Sequence, residues 1–127
     1  MADVIVGTKM VTNFLLRELA LRRWLEQILV EDLSNGNQPL WDHLKDGVLL
    51  CRVMLTLKPN SVPKIHEEKA DFRRKENLFF FLEALDENDF PTKKKFTVTD
   101  LYEEKNLFKV LYVQCSLSFL LLLIHPA

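Results

Sequence analysis

Few residues of this 127-residue chain have the types and spacings that catalysis requires. The three glycines, Gly7, Gly36 and Gly47, are too far apart to form a phosphate-binding loop or a dinucleotide fingerprint. The three histidines are scattered, with no second ligand at helical or turn spacing, so the sequence predicts no zinc site. Neither Cys51 nor Cys115 has a neighbouring histidine or cationic turn that would activate its thiol. We therefore expect a protein that is not an enzyme and that needs no metal or cofactor.

Positive charge is the other feature that could act chemically, as a contact for an acidic partner. The densest run, at residues 93–95, is explained most simply as a solvated loop. Its functional alternative is an electrostatic contact with an acidic protein or an anionic lipid headgroup. The arginine pair at 73–74 could join it if the fold brings them together, and the pair at 22–23 lies on the outer face of the first predicted helix. The candidate partner-binding residues are Arg22, Arg23, Arg73, Arg74, Lys93, Lys94 and Lys95.

The composition is that of a soluble globular domain, with 48% hydrophobic residues, 28% charged residues and a formal net charge of −1. Nucleic-acid binding is not expected, because it requires a strongly basic face. Two cysteines inside apolar runs predict buried free thiols and a reducing, cytoplasmic environment. A transmembrane helix needs about 17–25 apolar residues, so the shorter apolar run at 110–124 predicts a buried helix and no membrane span.

Four main helices must position these side chains, and no stretch alternates as a strand would. Apolar residues recur at helical spacing from about Val11 to Val30 and from Asp71 to about Asn88. The stretches at 48–57 and 106–124 are apolar on most sides, and such helices must be enclosed by others. We expect an all-α domain in which these two helices lie in the centre, flanked by the amphipathic pair and joined through short helices.

Several local signals predict where the elements begin. Asp46 is placed to cap the helix at 48–57, and Gly47 allows a tight entry into it. Asp100 followed by Glu103 resembles a capping box and predicts the start of a short helix.

The helix at 71–88 admits two buried faces. One contains Phe72, Phe79, Leu82 and Leu85, and the other is a shifted face that runs from Leu78 to Leu85. The periodicity alone leaves both open.

Four motifs follow one another along the chain. They are Leu-Lys-Asp-Gly-Val-Leu-Leu-Cys at 44–51, a Pro-Asn-Ser-Val turn at 59–62, the Phe-rich helix at 72–82, and Asp-Leu-Tyr-Glu-Glu-Lys-Asn at 100–106. In that order they resemble the central helix, the turn, the third long helix and the signature of a calponin-homology domain. The signature is similar to that of the single domains of calponin, IQGAP and Vav. The resemblance covers about residues 21–119. Asn60 stands where the family's turn usually has glycine, so the resemblance implies a left-handed turn there, a conformation that asparagine tolerates.

The resemblance implies the calponin-homology fold and a cytoskeletal or signalling role. We expect residues 1–127 to form one monomeric domain, the amino-terminal domain of a longer protein. The leading hypothesis is a regulatory or scaffolding domain of an actin-regulating or Rho guanine-nucleotide-exchange protein, in contact with another protein or another domain of the same chain.

Two alternatives stay open. Tandem members of the family bind filamentous actin, and direct actin binding is the first alternative. Against it, the family's Lys-Thr-Phe-Thr-x-Trp motif is missing, because Trp24 follows Ala-Leu-Arg-Arg at 20–23. The second alternative is a peripheral contact with anionic membranes through the lysine run.

Overall fold

The computed structural model describes residues 2–33, 39–87 and 95–112. Within these residues the protein has six helices and no strand, which confirms the all-α fold. The helices are α1 (Ala2–Leu29), α2 (Leu40–Leu44), α3 (Val48–Leu57), α4 (Asp71–Glu87), α5 (Val98–Tyr102) and α6 (Leu107–Leu111). None of the helices in the described ranges is both long and apolar enough to span a bilayer.

Helix α3 lies at the centre of the domain, between α1 and α4. Leu50, Cys51, Val53 and Met54 on α3 are completely buried. The prediction of an enclosed apolar helix is therefore confirmed. The second helix predicted to be central begins as α6, whose Val110 is also buried. Residues 113–124 of that predicted helix lie outside the described residues.

The entry into α3 follows the local signals in the sequence. The Asp46 carboxylate accepts a hydrogen bond from the Val48 backbone N–H at 3.0 Å. Gly47 has a φ of +75°, in the left-handed region that favours glycine. Asn60 has a φ of +69°, so the left-handed turn predicted there is also present.

A buried asparagine on α4 joins three segments of the chain. The Asn77 side chain is completely buried. Its amide nitrogen donates to the carbonyls of Asp46 and His66, both at 2.8 Å, and its oxygen accepts from the His66 backbone N–H at 2.8 Å. The Cys51 thiol donates to the Asn77 backbone carbonyl at 3.2 Å. Asn77 thus connects the start of α3, the α3–α4 connection and α4 itself.

Of the two faces predicted for α4, the first is wrong at Phe72 and Phe79, which are 64% and 55% exposed. Leu82 and Leu85, which both faces share, are buried, and so are Leu78 and Phe81 of the shifted face. Contacts with other segments determine which face of α4 is buried. Asn77 must reach its hydrogen-bond partners, and the Phe81 ring stacks on the buried Phe96 ring, with ring centroids 6.2 Å apart. These contacts turn Phe72 and Phe79 towards solvent.

The predicted start of α5 at Asp100 is also wrong. The Thr97 hydroxyl accepts a hydrogen bond from the Asp100 backbone N–H at 3.2 Å, and the Asp100 carboxylate accepts one from the Thr97 N–H at 2.9 Å. Asp100 is therefore the third helical residue of a capping box that Thr97 opens, and Glu103 follows the helix. The first helix likewise begins at Ala2, nine residues before the predicted Val11.

Candidate protein-interaction surface

The two arginines predicted on the outer face of α1 lie in different environments. The Arg22 side chain is only 16% exposed. Its guanidinium donates to the Leu33 carbonyl at 2.5 Å and lies 3.4 Å from the Glu18 carboxylate. Arg22 therefore holds the segment after α1 against the helix, whereas Arg23 is exposed.

The fold does not bring Lys95, the described residue of the lysine run, together with the arginines at 73–74. The Lys95 ammonium lies 2.5 Å from the Asp86 carboxylate, near the end of α4. Arg73 and Arg74 lie in the first turn of the same helix. Twelve residues separate Arg74 from Asp86, which is about 18 Å of α-helix. Lys93 and Lys94 lie outside the described residues.

An exposed aromatic residue marks the amino-terminal end of α4. The Arg73 guanidinium lies over the Phe72 ring, 4.9 Å from its centroid. Arg73 also pairs with the carboxylates of Glu68 and Glu76, at 3.3 and 3.5 Å. Carboxylate partners on two sides thereby hold the guanidinium near the ring, and the Phe72 side chain remains exposed to solvent.

Tyr102, at the end of α5, packs against the same turn of α4. Its hydroxyl donates to the Asp71 carboxylate at 2.5 Å. The Lys75 ammonium lies 5.1 Å from the centroid of the Tyr102 ring. The hydrogen bond to Asp71 raises the pKa of Tyr102, and the positive charge of Arg74 opposes that shift. The phenol is therefore protonated at neutral pH.

These side chains form one patch, the α4–α5 surface, made of Asp71, Phe72, Arg73, Arg74, Lys75 and Tyr102. It combines the exposed Phe72 ring and the half-buried Tyr102 ring with guanidinium groups, and aromatic and arginine side chains dominate the binding energy of protein interfaces. Neighbouring carboxylates balance much of its positive charge. No group of three or more metal-ligating side chains occurs among the described residues. The arrangement is suited to protein contact.

Sequence reasoning named two of these residues, Arg73 and Arg74, and missed the aromatic ones. Phe72 was assigned to the core, although its position between Asp71 and Arg73 in a first turn is a signal of exposure. Nothing in the sequence indicates that Tyr102 meets Asp71, because 31 residues separate them.

Comparison with known proteins agrees with the fold and the motifs. The sequence profile of the calponin homology (CH) domain matches residues 15–120. The chain belongs to the calponin-homology family. The CH domain of Rng2 from Schizosaccharomyces pombe superimposes with a TM-score of 0.75 at 31% identity, covering 86% of this chain and 69% of that one. A second structure of a CH domain from an IQGAP protein of the same yeast gives a TM-score of 0.76 at 30% identity, covering 91% of this chain and 72% of that one.

Relatives of this CH domain include IQGAP-like and calponin proteins. Ras GTPase-activating-like protein IQG1 of Candida albicans is 31% identical over 110 residues, which is 86% of this chain and 7% of that protein. Muscle-specific protein 20 of Drosophila melanogaster is 38% identical over 89 residues, 70% of this chain and 48% of that protein. Calponin-2 of Bos taurus is 36% identical over 94 residues, 74% of this chain and 29% of that protein. The chain spans less than half the length of each.

These relatives confirm the family and are consistent with a cytoskeletal, actin-related module. They also agree with the expectation of a non-enzyme, since CH families such as these are generally non-catalytic.

Proposed function

We propose that this CH domain is a non-catalytic interaction module of a larger actin-regulating protein and that it contacts its protein partner through the α4–α5 surface. One observation carries the proposal: Phe72 is 64% exposed in the first turn of a well-packed helix. Burying a Phe side chain in a partner contributes roughly 1.5–3 kcal/mol, whereas its exposure contributes little to the fold. The partner is a cytoskeletal protein or another part of the same protein.

The neighbours of Phe72 support this assignment. Arg73 is already held against the Phe72 ring by its carboxylate partners, so little side-chain entropy is lost when a partner covers both. Tyr102 and Lys75 extend the contact across to α5. The IQGAP-like and calponin relatives favour an actin-regulating context over a Rho-exchange context.

Direct binding to actin filaments is the second candidate. The exposed Arg23 supports it, because a cation on the outside of α1 is available to an acidic filament. Arg22 contributes less, because it is engaged with Leu33 and Glu18. Lys95 is tied to Asp86, so the membrane alternative rests on the two lysines before it.

Site-specific cross-linking tests the first candidate. A photo-reactive phenylalanine analogue is placed at position 72 or, as a matched control, at position 79 of the full-length protein. Phe79 is 55% exposed on the same helix, remote from the arginines. We expect cross-links from position 72 to one defined segment of a cytoskeletal protein or of the same chain, and Phe72→Asp should abolish that association. Equal cross-linking from both positions, or none from position 72, would reject the α4–α5 surface.

Pelleting with actin filaments and with anionic vesicles separates the alternatives. Contacts made by exposed charges weaken as salt rises, because the Debye length is only about 8 Å at physiological ionic strength. Filament binding that falls with salt and with Arg23→Glu, but is unchanged by Phe72→Asp, would support the second candidate. Pelleting with vesicles alone would support the membrane alternative.

A further inference from the structure

Tyr102 holds α5 against α4 through one exposed hydrogen bond. The phenol donates to the Asp71 carboxylate at 2.5 Å, and the ring is half-buried beneath Lys75. Tyr102 is the last residue of α5, and its hydrogen bond to Asp71 is exposed, so the hydroxyl can be reached from solvent while the neighbouring Leu101 stays completely buried. Asp100, Glu103 and Glu104 surround Tyr102 in the sequence, and such acidic flanks suit a tyrosine kinase with a basic substrate groove.

We propose that Tyr102 is a phosphorylation site for a protein tyrosine kinase, and that its phosphate leaves Asp71 and is held by Arg74 and Lys75. The inference goes beyond the proposed function and does not depend on it, because it concerns the chain alone. The effect is a change in the contact between α5 and the first turn of α4.

The reaction is transfer of the γ-phosphoryl group of ATP to the Tyr102 oxygen. The bond from the γ-phosphorus to the bridging oxygen of ADP breaks as the new phosphorus–oxygen bond forms. The phenolic proton passes to the general base of the kinase, and ADP leaves. The raised pKa of Tyr102 agrees with a hydroxyl that is protonated before transfer.

The Tyr102 hydroxyl binds the acidic Asp71, whereas a phosphate on the same oxygen would favour the cations Arg74 and Lys75. The phenol donates a hydrogen bond that the Asp71 carboxylate accepts. The phosphate carries a charge of about −1.5 to −2 and has only acceptor oxygens, so Asp71 repels it. The charge of Arg74 already acts on the hydroxyl, and Lys75 lies 5.1 Å from the ring centroid, so both cations are within reach of the phosphate. The amino-terminal end of α4, a helix of 17 residues, adds a favourable dipole.

The chain contains a natural control, since its two tyrosines are Tyr102 and Tyr112. Tyr112 has the apolar neighbours Leu111 and Val113 in the sequence, with no acidic flank. Arg17 lies over the Tyr112 ring, 5.0 Å from its centroid, so a cation near the ring is common to both tyrosines. Acidic flanks and the Asp71 hydrogen bond distinguish Tyr102.

Phosphorylation is tested with the folded chain, a purified tyrosine-kinase domain that prefers acidic flanks, and ATP. A synthetic peptide of residues 96–108 serves as a substrate control. We expect mass spectrometry to locate the phosphate at Tyr102; Tyr102→Phe should abolish labelling and Tyr112→Phe should leave it unchanged. Labelling of the peptide without labelling of the folded chain would overturn the proposal, as would labelling of Tyr112 in place of Tyr102 or of neither substrate.

The change of partner from Asp71 to Arg74 and Lys75 is tested by comparing the Tm of the phosphorylated chain with that of the unmodified chain. Phosphorylation should lower the Tm by about 3–6 °C, the shift expected for loss of one hydrogen bond from a domain of this size. The drop should shrink in Asp71→Asn, where the repulsion is removed, and grow when Arg74 and Lys75 are both changed to Gln. Equal drops in the parent and in all these variants would show that the phosphate interacts with neither group.

Discussion

A Cβ atom on Gly47 would lie only 2.6 Å from the Cβ of Asn77 and 2.9 Å from the backbone nitrogen of Leu78. Real Cβ atoms essentially never approach neighbours so closely. The start of α3 can therefore touch α4 only because residue 47 has no side chain. Its φ of +75° adds a second and separate requirement for glycine.

Gly47→Ala should therefore destabilise the domain by roughly 2–5 kcal/mol, from left-handed strain together with overpacking. Asn60→Ala is the matched control. Asn60 has nearly the same φ, +69°, but is exposed, so only the strain of about 1 kcal/mol applies. Urea unfolding followed by circular dichroism measures both. Equal losses would mean that the contact with Asn77 contributes nothing.

Asn77→Leu should cost roughly 3–5 kcal/mol. Leucine matches asparagine in size but leaves the Asp46 carbonyl and both backbone groups of His66 without their side-chain partner. Asn106→Ala provides a comparison, because Asn106 caps α6 at its first turn and should cost only about 1 kcal/mol. If Asn77→Leu lowers the free energy of unfolding no more than Asn106→Ala does, the buried Asn77 amide does not stabilise the domain as described.

Cys51 should react slowly with thiol reagents and should make stability depend on pH in the alkaline range. Burial, followed by the charge of Asp46, raises the pKa of its thiol from 9.0 to about 12. The folded state therefore retains its proton where the unfolded state loses it, so stability is full below pH 9 and falls as the pH rises towards 12.

In a Cys115→Ser background, the free energy of unfolding should fall by about 1 kcal/mol between pH 9 and pH 10 because of Cys51. In Cys51→Ala in the same background, the free energy of unfolding should keep only the pH dependence that comes from the other titratable groups. Parallel pH profiles for the two proteins, or rapid native-state labelling of Cys51, would be inconsistent with a buried thiol.

Replacing the phenylalanines of α4 by alanine should cost very different amounts of stability, depending on whether the ring is buried. Phe81→Ala should cost about 3–5 kcal/mol, because its completely buried ring stacks on Phe96. Phe79→Ala, two residues earlier and 55% exposed, should change stability by no more than about 0.5 kcal/mol. Thermal melting distinguishes the two, and a large loss at Phe79 would mean that α4 is rotated from the orientation described.

Features encoded within a few residues were predictable from the sequence. Asp46 and Gly47 were assigned correctly because a cap and a tight entry depend on the residues themselves, whereas the left-handed turn at Asn60 was implied by the family resemblance. The start of α5 shows the limit of such signals. Thr97–Asp100 and Asp100–Glu103 are overlapping patterns, and only the bonds at Thr97 decide between them.

Features that depend on distant partners were not predictable. Apolar residues are continuous from Leu78 to Leu82, so the buried face of α4 is determined by Phe96 and by the partners of Asn77. The candidate surface depends on the contact between Tyr102 and Asp71 in the same way. The apolar pattern predicted two central helices flanked by an amphipathic pair, and the resemblance to the CH family implied the same arrangement.

The buried Asn77 amide also determines the register in which α4 packs along α3. If α4 slipped by one residue along α3, Glu76 or Leu78 would stand opposite the Asp46 carbonyl and the His66 backbone. Neither side chain can both donate two hydrogen bonds and accept one, as Asn77 does. Misaligned packings with an equally apolar interface would thus leave buried polar groups unpaired, and we expect the domain to populate a single helix register throughout folding.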